Sequence, residues 1–472
     1  MTHETQVDQS PDPDGKGLRL WSYDALSPTL RGELYGWTML ALGSLAIAGA
    51  LALLLVLARL PPTQNLLPWS WQSFFYTGLV AHVILSFVVW FLAILGILAV
   101  LVVSGKEPAR WNGLGMPGVF AAILGSALLL TPTFLNDGEP SLNNYVPILV
   151  HPLYYIGLGL VGLGVALPTI RLLGNPKRLK GAIEFGVAMT GACYLIALIC
   201  IGLAWSRLPS GLDIQTLNER VFWGGGHILQ FVNTGLMLVA WVVLAKQGLG
   251  ETPVSLTVFR VCMASMVAFS LSGVAFYALY DALSLESRLA FTDLLWYGLP
   301  LPPLVVGLGA VALLARRRAD IARSPEALGL ALSMLVFLAG GLMGFFLGPS
   351  DARTPAHYHS SIGGVNLAFM ALIVTVALPA LGRATINRRS VAMQFHGYGW
   401  GQLVFSVGMF VAGAAGVPRK TMGAAAQGLD SVLKKVAMGV YGLGGALAVI
   451  GGVLFVIYAL RRLFARKDAV HD

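Results

Sequence analysis

Apolar runs of about twenty residues recur along nearly the whole sequence, each long enough to cross the roughly 30 Å hydrocarbon core of a bilayer as a helix. A soluble domain cannot bury so many such runs. Its usual charged content of about 25% is also more than twice the 11% present here, beside 56% hydrophobic residues. Runs bounded by charges, Pro and Gly predict twelve helices, over 36–59, 73–103, 116–134, 145–168, 181–205, 222–246, 257–284, 291–315, 327–348, 356–382, 393–416 and 436–463. The expected fold class is an all-α membrane protein, a twelve-transmembrane-helix bundle over residues 36–464. Residues 1–35 form a partly disordered tail, rich in Pro, Gly and Asp and unlike a signal peptide, and 465–472 a second tail.

The net charge of +9 sits in short loops, where membrane topology accounts for it, so no nucleic-acid partner is implied and the lipid bilayer is the expected one. One alternating set of loops holds Lys106 and Arg110, then Arg171, Lys177, Arg178 and Lys180, then Lys246, then Arg316, Arg317, Arg318 and Arg323, then Arg383, Arg388 and Arg389. The positive-inside rule places these loops and both termini in the cytoplasm. The opposite loops are leaner in Lys and Arg, except the last, which carries Arg419, Lys420, Lys434 and Lys435. Cys193, Cys200 and Cys262 all lie within apolar runs, which indicates neither a disulfide framework nor a thiolate metal site.

Histidine carries the chemistry. Ionisable side chains inside membrane spans point to function, and the topology puts His82, His227, His357 and His359, from three helices, at similar depth in the outer half of the bilayer. Neutral imidazole is an axial ligand for haem iron and a good ligand for copper or non-haem iron. Residues two apart on a helix diverge by about 200°, so His357 and His359 face two different groups on opposite sides of one helix. His151 reads as a packing residue of the fourth helix, and His396 lies near the cytoplasmic face, away from the other four.

The segment from Ala356 to Met370, with His357-Tyr358-His359, resembles the helix-10 motif of subunit I of the haem-copper oxidases and nitric oxide reductases. The stretch Thr77 to His82 resembles the helix-2 motif of that family, and Phe222 to His227 its approach to the helix-6 histidine. Gly413 to Lys420 resembles the segment after helix 11 that holds haem propionates. The resemblance implies a bundle of the haem-copper oxidase subunit I type binding two haems, expected to be of b type. His82 and His359 would be the axial ligands of a low-spin haem and His357 that of a high-spin haem. Arg419 and Lys420 would neutralise propionates, and His227 would hold a second active-site metal, non-haem iron or copper.

The pattern breaks at helix 7, where the family carries a His-His pair. The region Gly273 to Ala282 has none, and an ungapped match puts Phe276 and Tyr277 at those positions. Asp281, four residues beyond Tyr277 and so expected on the same helix face, is the candidate carboxylate to complete the metal site with His227, with Tyr277 beside it; the alternative is that Asp281 is only the polar end of helix 7. Gln230, Phe231 and Tyr280 would line the site, and Phe231 stands where oxygen-reducing members carry a tyrosine. Helix 8 has no Lys, which leaves a proton path from the cytoplasm without support, so Asp281 and Glu286 are the candidate relays from the outer side.

The expected activity is that of the catalytic subunit of a membrane terminal reductase in a bacterial inner membrane, reducing two nitric oxide molecules to nitrous oxide and water. The alternatives are an oxygen reductase with an unusual second-metal site, a haem-binding electron-transfer subunit without catalysis, and a secondary transporter, for which no inverted repeat is evident. The sequence has no Cys-x-x-Cys-His, so the resemblance implies a separate electron donor, a small membrane-anchored cytochrome c or cupredoxin subunit.

Overall fold

The computed structural model describes residues 19–57, 71–105, 107–143, 145–348, 350–383, 387–419 and 428–465. Most of the expected tails, 1–18 and 466–472, lies outside them. Twelve long helices run through the described residues: α1 (Pro28–Leu57), α2 (Phe74–Val102), α3 (Gly115–Leu135), α4 (Pro152–Leu173), α5 (Ala182–Arg207), α6 (Ile214–Leu249), α7 (Leu256–Leu279), α8 (Leu285–Arg316), α9 (Pro325–Met343), α10 (Arg353–Ala380), α11 (Arg388–Ala414) and α12 (Val432–Phe464). Eleven of them are long and apolar enough to cross a membrane. The exception, α11, carries Arg388, Arg389, Gln394, His396 and Gln402, and its place in the bundle is set by packing. A Cβ added at Gly401 would strike the backbone of Ala448 on α12, and one at Gly444 the backbone of Phe405. Small residues at such contacts let two helices approach closely where no hydrophobic effect drives them together.

Several boundaries differ from the sequence expectation. The chain enters α1 at Pro28, eight residues before 36, which shortens the expected tail. The fourth helix starts at Pro152 instead of 145, because Glu139–Ser141 (β1) pairs antiparallel with Ile148–Val150 (β2) in a hairpin, and His151 caps the helix by accepting from the Leu153 amide. Two prolines at 147 and 152 bracket this apolar stretch, so periodicity alone reads through it. At the other extreme α6 starts about two turns earlier than expected and runs three residues further, with Asp213 capping its start, and α8 is interrupted at Leu299 and Pro300.

Burial singles out the centre of the bundle. The apolar windows of α2, α6 and α10 are 78, 94 and 83% buried, against 56% or less in the other eight spans. These three central helices are the ones that carry His82, His227, His357 and His359. Near the end of the bundle where α1 begins, Arg171 in the last turn of α4 meets Glu33 of α1 through two hydrogen bonds, 2.9 and 2.6 Å, with both side chains fully buried. Arg171 is therefore a structural charge and no part of a loop, as its place among basic loop residues had implied.

Candidate functional site

Helices α2 and α10 run parallel and are tied together by Trp90 Nε1, which donates to Asn366 Oδ1 at 2.9 Å, and by the edge-on rings of Phe91 and Phe369 at 5.1 Å. Eight residues before Trp90 stands His82, and seven before Asn366 stands His359. The extra residue is taken up by a π-helical turn over Ile84–Val89, directly after His82. Such turns add one residue to a helical path and are frequent at functional sites. The two imidazoles lie within electrostatic reach of one another.

Nitrogen by nitrogen, the histidines divide into two kinds. His82 Nδ1 lies 2.9 Å from the Ala48 carbonyl of α1, and His357 Nδ1 lies 2.7 Å from the Gly340 carbonyl of α9. A carbonyl only accepts, so each Nδ1 carries the proton and each Nε2 keeps a lone pair. Neither Nε2 is engaged among the described residues, and neither ring nitrogen of His359 is either, its ring resting edge-on against Phe405 at 5.3 Å. Donating one ring N–H to a carbonyl while the other nitrogen stays free is the arrangement that orients a metal-binding imidazole. This donor set fits axial ligation of haem iron by His82, His359 and His357.

Above these residues, at the same end of the bundle, Arg353 opens α10 and forms an ion pair with Asp351 at 2.8 Å. Asp351 bridges to Pro418 in backbone pairing, and the Arg419 amide donates to Ser350. Arg353, through its hydrogen bonds, and Arg419 hold the Asp351 carboxyl below its ordinary range. Two guanidiniums thus share one carboxylate, which leaves net positive charge suited to propionates. Arg353 escaped the sequence reading because its role depends on the fold-back of the segment after α11. Lys420 lies outside the described residues.

His227 differs in its burial and at its second nitrogen. It is 1% exposed, thirteen residues inside α6. Its Nδ1 donates to the Trp223 carbonyl at 2.6 Å, and its Nε2 accepts from the Tyr145 hydroxyl at 3.2 Å. Tyr145, Trp223 and Phe291 surround the ring at centroid distances of 4.5, 4.6 and 5.8 Å. Phe276 and Tyr277 of α7 do face this region, but through Phe291, at 5.2 and 5.5 Å. The preceding Gly224-Gly225-Gly226 run makes the packing possible. A Cβ at Gly224 would strike Tyr277 Oη, one at Gly225 would lie 2.9 Å from the Ala197 carbonyl, and one at Gly226 would lie 2.5 Å from Tyr145 Cβ.

The expected second-metal set of His227, Tyr277 and Asp281 does not converge. The helix ends at Leu279, Tyr280 is extended, and Asp281 is exposed, its carboxylate accepting from the Leu283 amide at 2.7 Å. The one-turn spacing that would have aligned Asp281 with Tyr277 needs a helix that has already stopped. Glu286 and Tyr280 are likewise exposed, so neither lines an interior site and neither carboxylate forms an inward relay. Gln230 folds back on the Gly226 carbonyl, and Phe231 is a fully buried packing residue. His396 is exposed and accepts from Trp400, in keeping with its exclusion. Among the described residues no three His, Cys, Asp or Glu side chains could hold a metal ion together.

The twelve-helix bundle has a counterpart in known proteins. The family model for cytochrome c and quinol oxidase polypeptide I matches residues 34–453. The chain belongs to that family. It is a multi-pass membrane protein of the haem-copper oxidase subunit I superfamily. Among curated proteins it is 29% identical over 343 residues to an uncharacterized protein of Aquifex aeolicus, covering 71% of this chain and 82% of that one. It is 23% identical over 499 residues to the uncharacterized protein RP382 of Rickettsia prowazekii, covering 91% and 96%. A haem-copper terminal oxidase dimer solved by cryo-electron microscopy superposes with a TM-score of 0.74 over 95% of this subunit I chain and 88% of the other, at 17% identity. That likeness establishes the shared fold.

Proposed function

We propose that this subunit I is the two-haem redox subunit of a terminal reductase and that it reduces nitric oxide to nitrous oxide. The observation that carries the reading is the trio of imidazoles on the central helices with Nε2 unengaged, two of them with Nδ1 held by a backbone carbonyl. His82 and His359 would hold one haem, and His357 would hold the second. The Ala48 and Gly340 carbonyls fix the tautomer in which Nε2 is the ligand, and Arg353 and Arg419 neutralise the propionates. When bound, the haems supply one electron each, matching the two electrons and two protons that convert 2 NO to N2O and H2O. Oxygen reduction to water takes four electrons, and Phe231, buried at the position of the family tyrosine, supplies neither an electron nor a proton.

The positive-inside rule sets the histidine-bearing end on the outer face and both termini in the cytoplasm of a bacterial inner membrane. The donor, a small cytochrome c or cupredoxin subunit, then docks at that face. A second reading, an electron-transfer subunit without catalysis, draws on the full engagement of His227. The test is a reduced-minus-oxidised spectrum of the purified complex, followed by turnover with nitric oxide or oxygen as sole acceptor. Two haem signals with nitric oxide consumption uphold the proposal. A spectrum without haem sinks both readings, and two haems without turnover on either gas select the second.

A further inference from the structure

A second active-site metal would need the Nε2 lone pair of His227, and that lone pair is already used. Trp223 can only accept at its carbonyl, so the proton sits on Nδ1, and Nε2 is bonded to the Tyr145 hydroxyl. Rotating the ring to free Nε2 would break both bonds inside a cage of Tyr145, Trp223 and Phe291. It would leave the Tyr145 hydroxyl without its acceptor, at about 1–3 kcal/mol, and strip the Trp223 carbonyl of its second donor. Nor are partners at hand. Catalytic metal sites take three protein ligands, and the neighbours of His227 are aromatic rings, while Asp281 is exposed beyond the end of α7.

We propose that this chain carries no second active-site metal on His227, and that a hydrogen-bonded phenol–imidazole pair, Tyr145–His227, stands in its place. The proposal rests on the two-haem reading above. The pair holds a proton at Tyr145 Oη, 3.2 Å from its acceptor, and ties the β1–β2 hairpin to α6 across 82 residues of sequence. Gly226 belongs to the same device, since it makes room for the Tyr145 ring.

The experiment is metal analysis of the full complex, as purified and after copper, ferrous iron or zinc is added singly and excess removed, for the wild type, His227→Gln and Tyr145→Phe. Two irons per subunit I chain and unchanged stoichiometry in both variants are expected. A third metal near one per chain that disappears in His227→Gln while both haem bands persist would overturn the proposal. If His227→Gln does not assemble, Tyr145→Phe decides through amide hydrogen exchange over residues 139–150. Loss of one hydrogen bond speeds that exchange by about three- to tenfold, and an unchanged rate would count against the pair. Absence of haem from the wild type is a separate outcome, which refutes the functional reading itself.

Discussion

The α2–α10 seam and the α6–α7–α8 corner each hold imidazole on a central helix, half-buried in the first and buried in the second, and in each a backbone carbonyl takes an Nδ1 proton. They part at the second nitrogen. At the seam neither His82 Nε2 nor either ring nitrogen of His359 has a hydrogen-bond partner among the described residues, whereas in the corner Tyr145 closes His227 Nε2. Residue type and central-helix placement are therefore shared by both regions, and what separates an imidazole open to a ligand from one closed to it is the occupancy of one lone pair. A hydrogen bond from a loop is enough to change the answer.

The largest break in that comparison comes from the seam. His359→Ala should abolish the low-spin haem signal, and His357→Ala should remove only the other haem, whereas His227→Ala should keep both, all read from reduced-minus-oxidised spectra. Equal haem loss in all three variants would erase the distinction. The corner should respond instead in stability. His227→Ala opens a cavity and leaves the Tyr145 hydroxyl without its acceptor, a cost of about 3 kcal/mol, measurable as a lowered unfolding midpoint in detergent.

Gly226→Ala forces a methyl group onto Tyr145 and should cost about 1–3 kcal/mol. Most of that cost should vanish in a Tyr145→Ala background, so a double-mutant cycle returns a coupling of similar size. The smallest effect is one of pH. Burial pushes the Tyr145 phenol up from 10.0 to about 12. The unfolded chain therefore ionises first, and the contribution of this neutral phenol to stability is complete below pH 10 and is lost as pH rises from 10 to about 12. An ultraviolet phenolate titration, wild type minus Tyr145→Phe, should show one tyrosine ionising late.

The seam was legible in the sequence and the corner was not, for a physical reason. Spans follow from composition and length, and the His82, His357 and His359 positions follow from helical geometry on those spans, so local information suffices. Tyr145 meets His227 through a hairpin whose apolar residues read as the start of a helix, and nothing local marks that contact. Asp281 was placed by extending a helical period two residues past Leu279, where the backbone turns extended. Periodicity cannot register its own end when no Gly or Pro marks it. The Gly224–Gly226 run was visible as a motif, but its meaning, three neighbours reaching one helix from three sides, belongs to tertiary structure.

The Glu33–Arg171 pair also constrains how the molecule is made. Neither charge is welcome alone against lipid, although near the end of the bundle each costs less than the roughly 2.5–3.5 kcal/mol that an aspartate, lysine or arginine costs at mid-membrane. The two are separated by 138 residues, which synthesis at roughly 5–20 residues per second spans in about 7–28 s. During that interval the first helix has no permanent seat. Until the fourth helix emerges and its arginine closes the fork, the glutamate has to be hydrated or shielded by other means. The order of assembly is thus written into a contact that takes no part in the redox chemistry.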